Sequence, residues 1–186
     1  MTLINPYAAR ANKPSYTLLY GDGGHANALR EIIGHHTITI CGDEWKTSRH
    51  ISDKIVIGVG LVREHKKRTV LFNGMKKMGY EFPNVIHKSA QIEDSAKLGV
   101  GVQVFANAVI SSNVVIGDNC IINSGAIISH DCVLGDNVHA APGAVLGGGI
   151  IIGRDTLLGI GCTILPGVKI CKNSFILIGE NVIANI

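Results

Sequence analysis

From Val85 onward, large aliphatic residues recur at every sixth position of the chain. Counted in sixes from Val85 to Ile186, the second position is Ile, Leu or Val in 16 of 17 repeats, and only Ala140 departs. An amphipathic helix repeats near 3.6 residues and an alternating strand near 2, so a period of six is typical of neither alone. A short strand plus a tight turn explains it, and three such sides close one coil of about 18 residues. The pattern predicts a parallel β-helix over residues 85–186.

The sixth position of most repeats holds a small residue, which we expect to let the chain pass the corners of the coil. Three of the five cysteines, Cys120, Cys132 and Cys162, occupy this position. A thiol there behaves as a small hydrophobe. Because the sequence contains no CxxC pair, a reduced, cytoplasmic protein is the simplest interpretation.

Residues 1–84 follow a different pattern, in which short apolar runs alternate with helical segments. In order, it predicts a strand, a glycine-rich turn and a helix over 16–34, strands over 37–41 and 54–59, a helix over 61–78 and a strand over 80–83. This is the order of a small α/β, Rossmann-like βαβ domain. We therefore expect two domains, 1–84 and 85–186, with the all-β coil second.

The glycine-rich turn has a spacing found in nucleotide-binding turns. Residues 21–26 read Gly-Asp-Gly-Gly-His-Ala, which fits G-x-G-x-x-A. Gly23 and Gly24 would let the backbone approach a phosphate, and the start of the following helix offers free N–H groups. Asp43 and Gly60 follow the next two predicted strands, at the edge where such sheets bind ligands. A tight turn without a ligand and a solvated Asp43 are the alternatives.

Composition argues against several classes of function. The net charge is only +3, and no stripe of Lys and Arg is interleaved with aromatic residues, so nucleic acid binding has little support. No apolar run reaches the ~18 residues that span a bilayer. The first 15 residues lack the charged start and apolar block of a secretory signal. We expect a cytoplasmic protein without a membrane span.

Two histidines are the candidates for chemistry in the coil. His130 is followed directly by Asp131, and a carboxylate can orient an imidazole as a general base; a turn histidine exposed to water is the alternative. His139 follows one and a half repeats later, so the two should lie on different faces and meet only across a subunit interface. Two histidines are too few for a zinc site in one chain. We expect no metal, although a site shared between subunits stays open.

Three consecutive glycines interrupt the coil pattern at 147–149. Such a run either relieves crowding at a corner or exposes N–H groups that can polarise a carbonyl.

Two segments together resemble a known family: GDGGHA after the first strand, and NSGAIISHDCVLGDNVHAAPGAVLGGGIIIG in the coil. They are similar to the hexapeptide-repeat sugar acetyltransferases of the bacillosamine and sialic acid pathways, and the resemblance covers nearly the whole chain from Tyr16. It implies a left-handed coil and a homotrimer with active sites between subunits. It also implies acetyl transfer from acetyl-CoA to the amine of a nucleotide-linked 4-amino-4,6-dideoxy sugar.

The resemblance also assigns roles to residues of this sequence. His130 would be the general base and Asp131 its acidic partner. The acetyl-CoA site would be lined by His139, Gly148, Ile160 and Ile178, with the Gly148 N–H at the oxyanion. The nucleotide-linked sugar would be held by Gly23, Gly24 and His25, with Asp43 and Gly60 nearby. The resemblance also implies direct transfer without an acyl-enzyme, and Cys132, which is expected to point inward from its sixth position, is given no covalent role.

Two positions depart from the family's pattern and bear on the substrate. Gly42 precedes Asp43 where paired acidic residues are common, and Leu61 follows Gly60 where Asn is common. The same base would also serve O-acetylation of a sialic acid-type sugar. A non-catalytic trimeric scaffold or binding module is the alternative of another class. Turnover of a defined acceptor separates the three.

Overall fold

A computed structural model describes residues 16–60 and 66–186 of the protein. Within its N-terminal unit (residues 16–84), the elements are β1 (Thr17–Tyr20), α1 (Gly24–Ile33), β2 (Thr37–Ile40), β3 (Ile55–Ile57) and α2 (Lys66–Lys77), with short 3-10 turns at Glu44–Lys46 and Ser48–His50. The three strands are parallel in the order β2-β1-β3. The description of this unit as a Rossmann-like domain, and the division into two domains, stay predictions.

The strand predicted over 80–83 is wrong. Glu81 bridges only to Lys54, accepting from the Ile55 N–H and donating to the Asp53 carbonyl. Pro83 has no N–H with which to continue a ladder, while Tyr80 and Phe82 are buried. The first five residues of the helix predicted over 61–78 lie outside the described residues.

From Val85 the chain forms seventeen two-residue strands in three parallel sheets of six, six and five strands. Sheet one contains β4 (Val85–Ile86), β7 (Gln103–Val104), β10 (Ile121–Ile122), β13 (His139–Ala140), β16 (Leu157–Leu158) and β19 (Phe175–Ile176). Sheet two contains β5 (Gln91–Ile92), β8 (Val109–Ile110), β11 (Ile127–Ile128), β14 (Val145–Leu146), β17 (Thr163–Ile164) and β20 (Asn181–Val182). Sheet three contains β6 (Lys97–Leu98), β9 (Val115–Ile116), β12 (Val133–Leu134), β15 (Ile151–Ile152) and β18 (Lys169–Ile170).

Each strand pairs with the one 18 residues away, for example His139 with Ile121 on one side and with Leu157 on the other. This arrangement confirms the predicted coil and is consistent with a left-handed β-helix. The second and sixth residues of the repeats form one continuous core, in which even Ala140 is fully buried. Ile86, in the first strand of the coil, is 44% exposed because no coil lies below it.

The corners of the coil are turned by residues with positive φ at the fifth position of the repeats. Seven Asn and Asp residues there have φ between 56° and 61°, and glycines take most of the other corners. This left-handed conformation costs Asn, Asp and Gly least. The recurring polar residues of the pattern are therefore explained by the backbone.

The N-terminal unit packs against the outer surface of sheet one. Leu19, Ala26, Leu29 and Val56 form a buried apolar cluster with four outer residues of the coil. Helix α2 lies along the corner between sheets three and one, where Lys76 Nζ is 2.9 Å from Asp118 Oδ2. The carboxyl edge of the small sheet is thereby held beside the coil.

A ladder of side chains runs up that same corner. The Asn119 amide donates to Asn137 at 2.8 Å, and the Asn137 amide donates to Asp155 at 3.0 Å. Thr69 of α2 donates to the same Asp155 oxygen at 3.3 Å. Because Asn119 and Asn137 are buried, their hydrogen bonds offset the cost of burying an amide.

Candidate active site

The corner between β11 and β12 carries His130 and Asp131. His130 Nδ1 lies 2.8 Å from Asp131 Oδ2. A carboxylate only accepts, so Nδ1 carries the ring proton and Nε2 keeps its lone pair. The hydrogen bond from His130, followed by one from Asn113, holds the pKa of Asp131 below its ordinary value. The His130 side chain is 64% exposed, so an oriented imidazole faces the solvent.

Gly148 lies one coil above His130, and a side chain at this position would displace the His130 ring. A Cβ at Gly148 would lie 2.5 Å from Cε1 and 2.6 Å from Nε2 of the His130 ring. Gly147 is similarly close to Pro166, and Gly149 has φ +68°. Gly147 and Gly148 therefore relieve crowding at the corner, whereas Gly149 supplies its left-handed turn. Across residues 16–60 and 66–186, the Gly148 N–H has no hydrogen-bond partner, so the second interpretation of the glycine run also fits.

Cys132 points into the coil, as its sixth position predicts. It is fully buried, its thiol donates to the Gly147 carbonyl, and burial raises its pKa. A protonated, enclosed thiol is not placed to attack a thioester at the surface. A covalent route through Cys132 has no structural support.

The second candidate region is the carboxyl edge of the small sheet. α1 leaves β1 toward β2, whereas β3 lies on the other side of β1, and ligands of open α/β sheets bind at such a switch point. Gly58 lies in this crevice, where a Cβ would be 2.6 Å from that of Ala26, so glycine lets α1 begin against β3. No side chain caps the helix at Gly23, and its first turn contains no acidic residue. Its free N–H groups can therefore receive an anion.

His25 lies within this crevice and faces the coil. Its Nε2 is 2.8 Å from Oε1 of Gln103, on β7 of sheet one. Burial lowers the pKa of His25 to about 4, so the ring is neutral at pH 7. A Cβ at Gly60 would lie 3.6 Å from the His25 ring, which places the two predicted substrate residues side by side.

Arg68 of α2 holds the end of β3. Its Nη1 donates to the carbonyls of Ile57 and Val59, each at 2.8 Å. The side chain is 1% exposed, and burial lowers its pKa to about 9, so it is still protonated at pH 7. This buried cation fixes the loop that leads to Gly60.

Comparisons with known proteins bear on both regions. The family model for the bacterial transferase hexapeptide (six repeats) matches residues 113–148, which include His130, Asp131, His139 and Gly148. A solved structure of PerB from Caulobacter crescentus in complex with CoA and GDP-perosamine is 28% identical. It covers 93% of this chain and 91% of its own, with a TM-score of 0.87. The chain is an acetyltransferase that is similar to the hexapeptide-repeat sugar acetyltransferases.

Two further structures show the same fold. A perosamine N-acetyltransferase variant in which one histidine is replaced by asparagine is 27% identical, with a TM-score of 0.87 over 93% of this chain and 90% of its own. The acetyltransferase domain of PglB from Neisseria gonorrhoeae is 24% identical, with a TM-score of 0.86 over 94% of this chain and 93% of its own. No curated protein matches the chain in sequence.

In this acetyltransferase, Gly148 is the one residue of the predicted acetyl-CoA set that lies beside His130 within one chain, whereas Ile160, Ile178 and His139 lie elsewhere on the coil. Ile160 and Ile178 are 51% and 73% exposed and lie one coil apart at the corner between sheets one and two. His130 lies at the opposite edge of sheet two. His139 is on the outer surface of sheet one, where the Asn123 amide donates to its Nε2 at 3.2 Å. A complete site would need a second copy of the chain.

The predicted sugar-binding residues of the acetyltransferase divide in a similar way. Gly23, Gly24, His25 and Gly60 lie together in the crevice. Asp43 instead lies beyond β2, where it is exposed and pairs with Lys46 at 3.0 Å. Gln103 and Arg68 belong to this crevice too, but the sequence pattern did not point to either. One signal could have pointed to Gln103: it is a polar residue at the outward-facing first position of its repeat, on the sheet that packs against the N-terminal unit.

Two further findings concern the described residues of the acetyltransferase. None of their helices is long and apolar enough to cross a membrane. No three of their His, Cys, Asp or Glu side chains cluster so that they could hold a metal ion.

Proposed function

We propose that the protein transfers the acetyl group of acetyl-CoA to the amine of a nucleotide-linked 4-amino-4,6-dideoxy sugar, with His130 as general base. The observation that carries this proposal is the corner at His130. An imidazole oriented by Asp131 at 2.8 Å occupies the space where a side chain at Gly148 would lie. A base and an open N–H donor are the two groups that acyl transfer to an amine requires.

The reaction follows from the protonation states at this corner. The sugar amine attacks the thioester carbonyl, a C–N bond forms, and His130 Nε2 takes the proton that the amine releases. The Gly148 N–H donates to the oxyanion of the tetrahedral intermediate. When the C–S bond breaks, the proton on Nε2 passes to the departing CoA thiolate. Asp131 remains ionised and stabilises the transient imidazolium.

The crevice at β1 and β3 supports a nucleotide-linked acceptor. Free N–H groups at the start of α1 suit a phosphate, and the neutral His25 beside them suits a hydrogen-bond donor. Relatives at 27% and 28% identity were solved with CoA and GDP-perosamine. We infer that the acceptor is a nucleotide-linked amino sugar of this kind and that acetyl-CoA is the donor.

The protein is proposed to act as a homotrimer with active sites between subunits. Three aliphatic residues on the outer surface of sheet three, Val115, Val133 and Ile151, are 41%, 42% and 43% exposed in one chain. They are neighbours in register, so they form a continuous apolar row, and such patches favour protein contacts. Pairing of subunits would also bring the edge of sheet two that carries His130 in one chain close to the edge that carries Ile160 and Ile178 in another.

The test is acetyl transfer from acetyl-CoA to a panel of GDP-, UDP- and dTDP-linked 4-amino sugars, GDP-perosamine included, with products separated by chromatography. We expect turnover of one acceptor and a loss of about a hundredfold or more in His130→Ala. His87→Ala is the matched control, because His87 is also a coil histidine bonded through Nδ1, to Ser89 at 2.8 Å.

Each other result contradicts a defined part of the proposal. Turnover that survives in His130→Ala removes the assigned base but keeps the activity. Acetylation of free sialic acid, with no amino sugar accepted, establishes the O-acetyltransferase instead. No turnover of any acceptor favours the non-catalytic scaffold.

A further inference from the structure

Gln103 is a buried polar side chain to which the proposed reaction gives no role. It is 2% exposed and lies on β7, between Val85 and Ile121 in the register of sheet one. Burying an amide costs free energy unless both of its ends are hydrogen-bonded. Here both are, because Nε2 donates to the Ile57 carbonyl at 2.9 Å and Oε1 lies 2.8 Å from His25 Nε2.

The Ile57 carbonyl determines which way round the Gln103 amide lies. A carbonyl only accepts hydrogen bonds, so the amide nitrogen faces Ile57 and the amide oxygen faces His25. Since an amide oxygen also only accepts, His25 Nε2 must carry the ring proton, and Nδ1 is left with a lone pair. Arg68 donates to the same Ile57 carbonyl, which keeps this acceptor in place.

The surroundings of His25 leave one direction open to Nδ1. The Phe105 ring lies 5.2 Å from the His25 ring, and the positive charge of Arg68 adds to the lowering of the His25 pKa. A Cβ at Gly60 would lie 3.6 Å from Nδ1, so this nitrogen faces the crevice beside Gly60. Within the described part of the chain, no group donates to it.

We propose that Gln103 is a positioning residue of the sugar site, which fixes His25 as the Nε2-protonated tautomer so that Nδ1 accepts a hydrogen bond from a hydroxyl or amine of the bound sugar. This inference rests on the nucleotide-linked substrate proposed above. In this arrangement, the glycine-rich turn before α1 makes two different contacts with the substrate. The backbone N–H groups at the start of α1 receive the phosphate charge, whereas the His25 ring selects a group that donates.

The first measurement needs no substrate. In full-length protein labelled with ¹⁵N-histidine, His25 is assigned with a His25→Gln variant, and its ring shifts report the tautomer at pH 7. We expect only the Nε2-protonated form in the wild type and a mixture of the two neutral tautomers in Gln103→Met. Ile121→Met is the matched control, since Ile121 is the buried neighbour in the same row, and its substitution leaves the His25–Gln103 hydrogen bond in place.

The second measurement connects the tautomer to binding, with GDP-perosamine or whichever sugar of the panel is turned over as the probe. In Gln103→Met we expect the KM for the sugar to rise about tenfold, the effect of one lost hydrogen bond. The KM for acetyl-CoA should stay unchanged. Gln103→Glu keeps the side-chain length but adds a negative charge beside His25, which favours the protonated ring despite Arg68. Its KM for the sugar should rise as well and recover as the pH is raised.

The outcomes separate this inference from the function on which it rests. Absence of wild-type turnover overturns the proposed function, and it is seen before any variant is made. An unchanged His25 tautomer in Gln103→Met overturns the positioning role. A changed tautomer with an unchanged KM for the sugar also overturns it, because His25 would then not contact the sugar, while the acetyltransferase proposal stands.

Discussion

The corner at His130 depends on the absence of a side chain at position 148. A Cβ there would lie 2.6 Å from His130 Nε2, far inside van der Waals contact, so the ring must move in Gly148→Ala. We expect kcat to fall about a hundredfold, because the base and the oxyanion donor lose their alignment. Steady-state kinetics with circular dichroism as a check on folding measures this.

A double-mutant cycle with His130→Ala tests the cause. If alanine at position 148 acts by displacing the ring, it adds little to the loss already caused by His130→Ala. Full additivity of the two losses would contradict this explanation and leave the Gly148 N–H as the main contribution of that residue.

The pKa of Asp131 offers a second test at the residue scale. The pKa is lowered by the hydrogen bond from His130 and then by the one from Asn113, so Asp131 stays ionised to a lower pH than an ordinary carboxyl does. In Asn113→Gly the second bond is lost, and we expect the pKa to rise. A ¹³C-carboxyl NMR titration measures the direction. Asn107 is the control, because it holds the same fifth position in the preceding repeat, with φ of 56°. Asn107→Gly should leave the pKa of Asp131 unchanged.

Local sequence pointed to residues whose partners are close along the chain and missed those whose partners are distant. His130 was predicted because Asp131 follows it directly. Gln103 was missed because His25 lies 78 residues away, and Arg68 because its contact with Asn119 spans 51 residues. Such pairs exist only once the N-terminal unit has packed on sheet one, and no local pattern encodes that packing.

At the scale of elements, the Asn119–Asn137–Asp155 ladder predicts an uneven response to the same substitution. Asn137→Gly removes one buried and one partly buried hydrogen bond, and we expect a loss of about 1–3 kcal/mol in the free energy of unfolding. Asn173→Gly is the matched control. Asn173 has φ of 61° against 58° for Asn137, but its exposed side chain makes no hydrogen bond within the described residues.

Urea denaturation of the two variants measures the difference. Because both changes replace Asn by Gly in the same backbone conformation, the effects on the unfolded chain are similar. Equal losses would show that the ladder does not stabilise the coil.

Strands and helices could be predicted from the sequence where the size of the side chains alone defines them. The six-residue period is a packing requirement repeated in every coil, so it is visible without knowledge of the fold. The strand predicted over 80–83 had similar apolar residues, but a strand also needs free N–H groups and a partner. Pro83 removes the first, and Glu81 pairs at one residue only.

At the scale of the whole molecule, the exposed row on sheet three predicts how the chains associate. We expect Val133→Glu to shift the mass in light scattering from about three times 19.7 kDa toward a single chain. Activity should fall with it, since the site is proposed to lie between subunits. A charge placed in a buried interface is costly without a partner.

Val70→Glu is the control for added charge. Val70 is 67% exposed on α2 and does not belong to the apolar row of sheet three, so its substitution should leave both mass and activity unchanged. A wild-type mass of one chain, or a trimer that persists in Val133→Glu, would contradict the proposed interface.

The 18-residue register also limits how the chain can change in length. Ser112, His130, Gly148 and Pro166 share one corner because their numbers differ by multiples of 18, the spacing of paired strands. Insertion of a single repeat between His130 and Gly148 would carry the glycine to the next corner. Insertion of a whole coil would return it to the right corner but raise it by about 4.8 Å, one strand spacing. Neither restores the contact, so this stretch can vary in residue type but not in length.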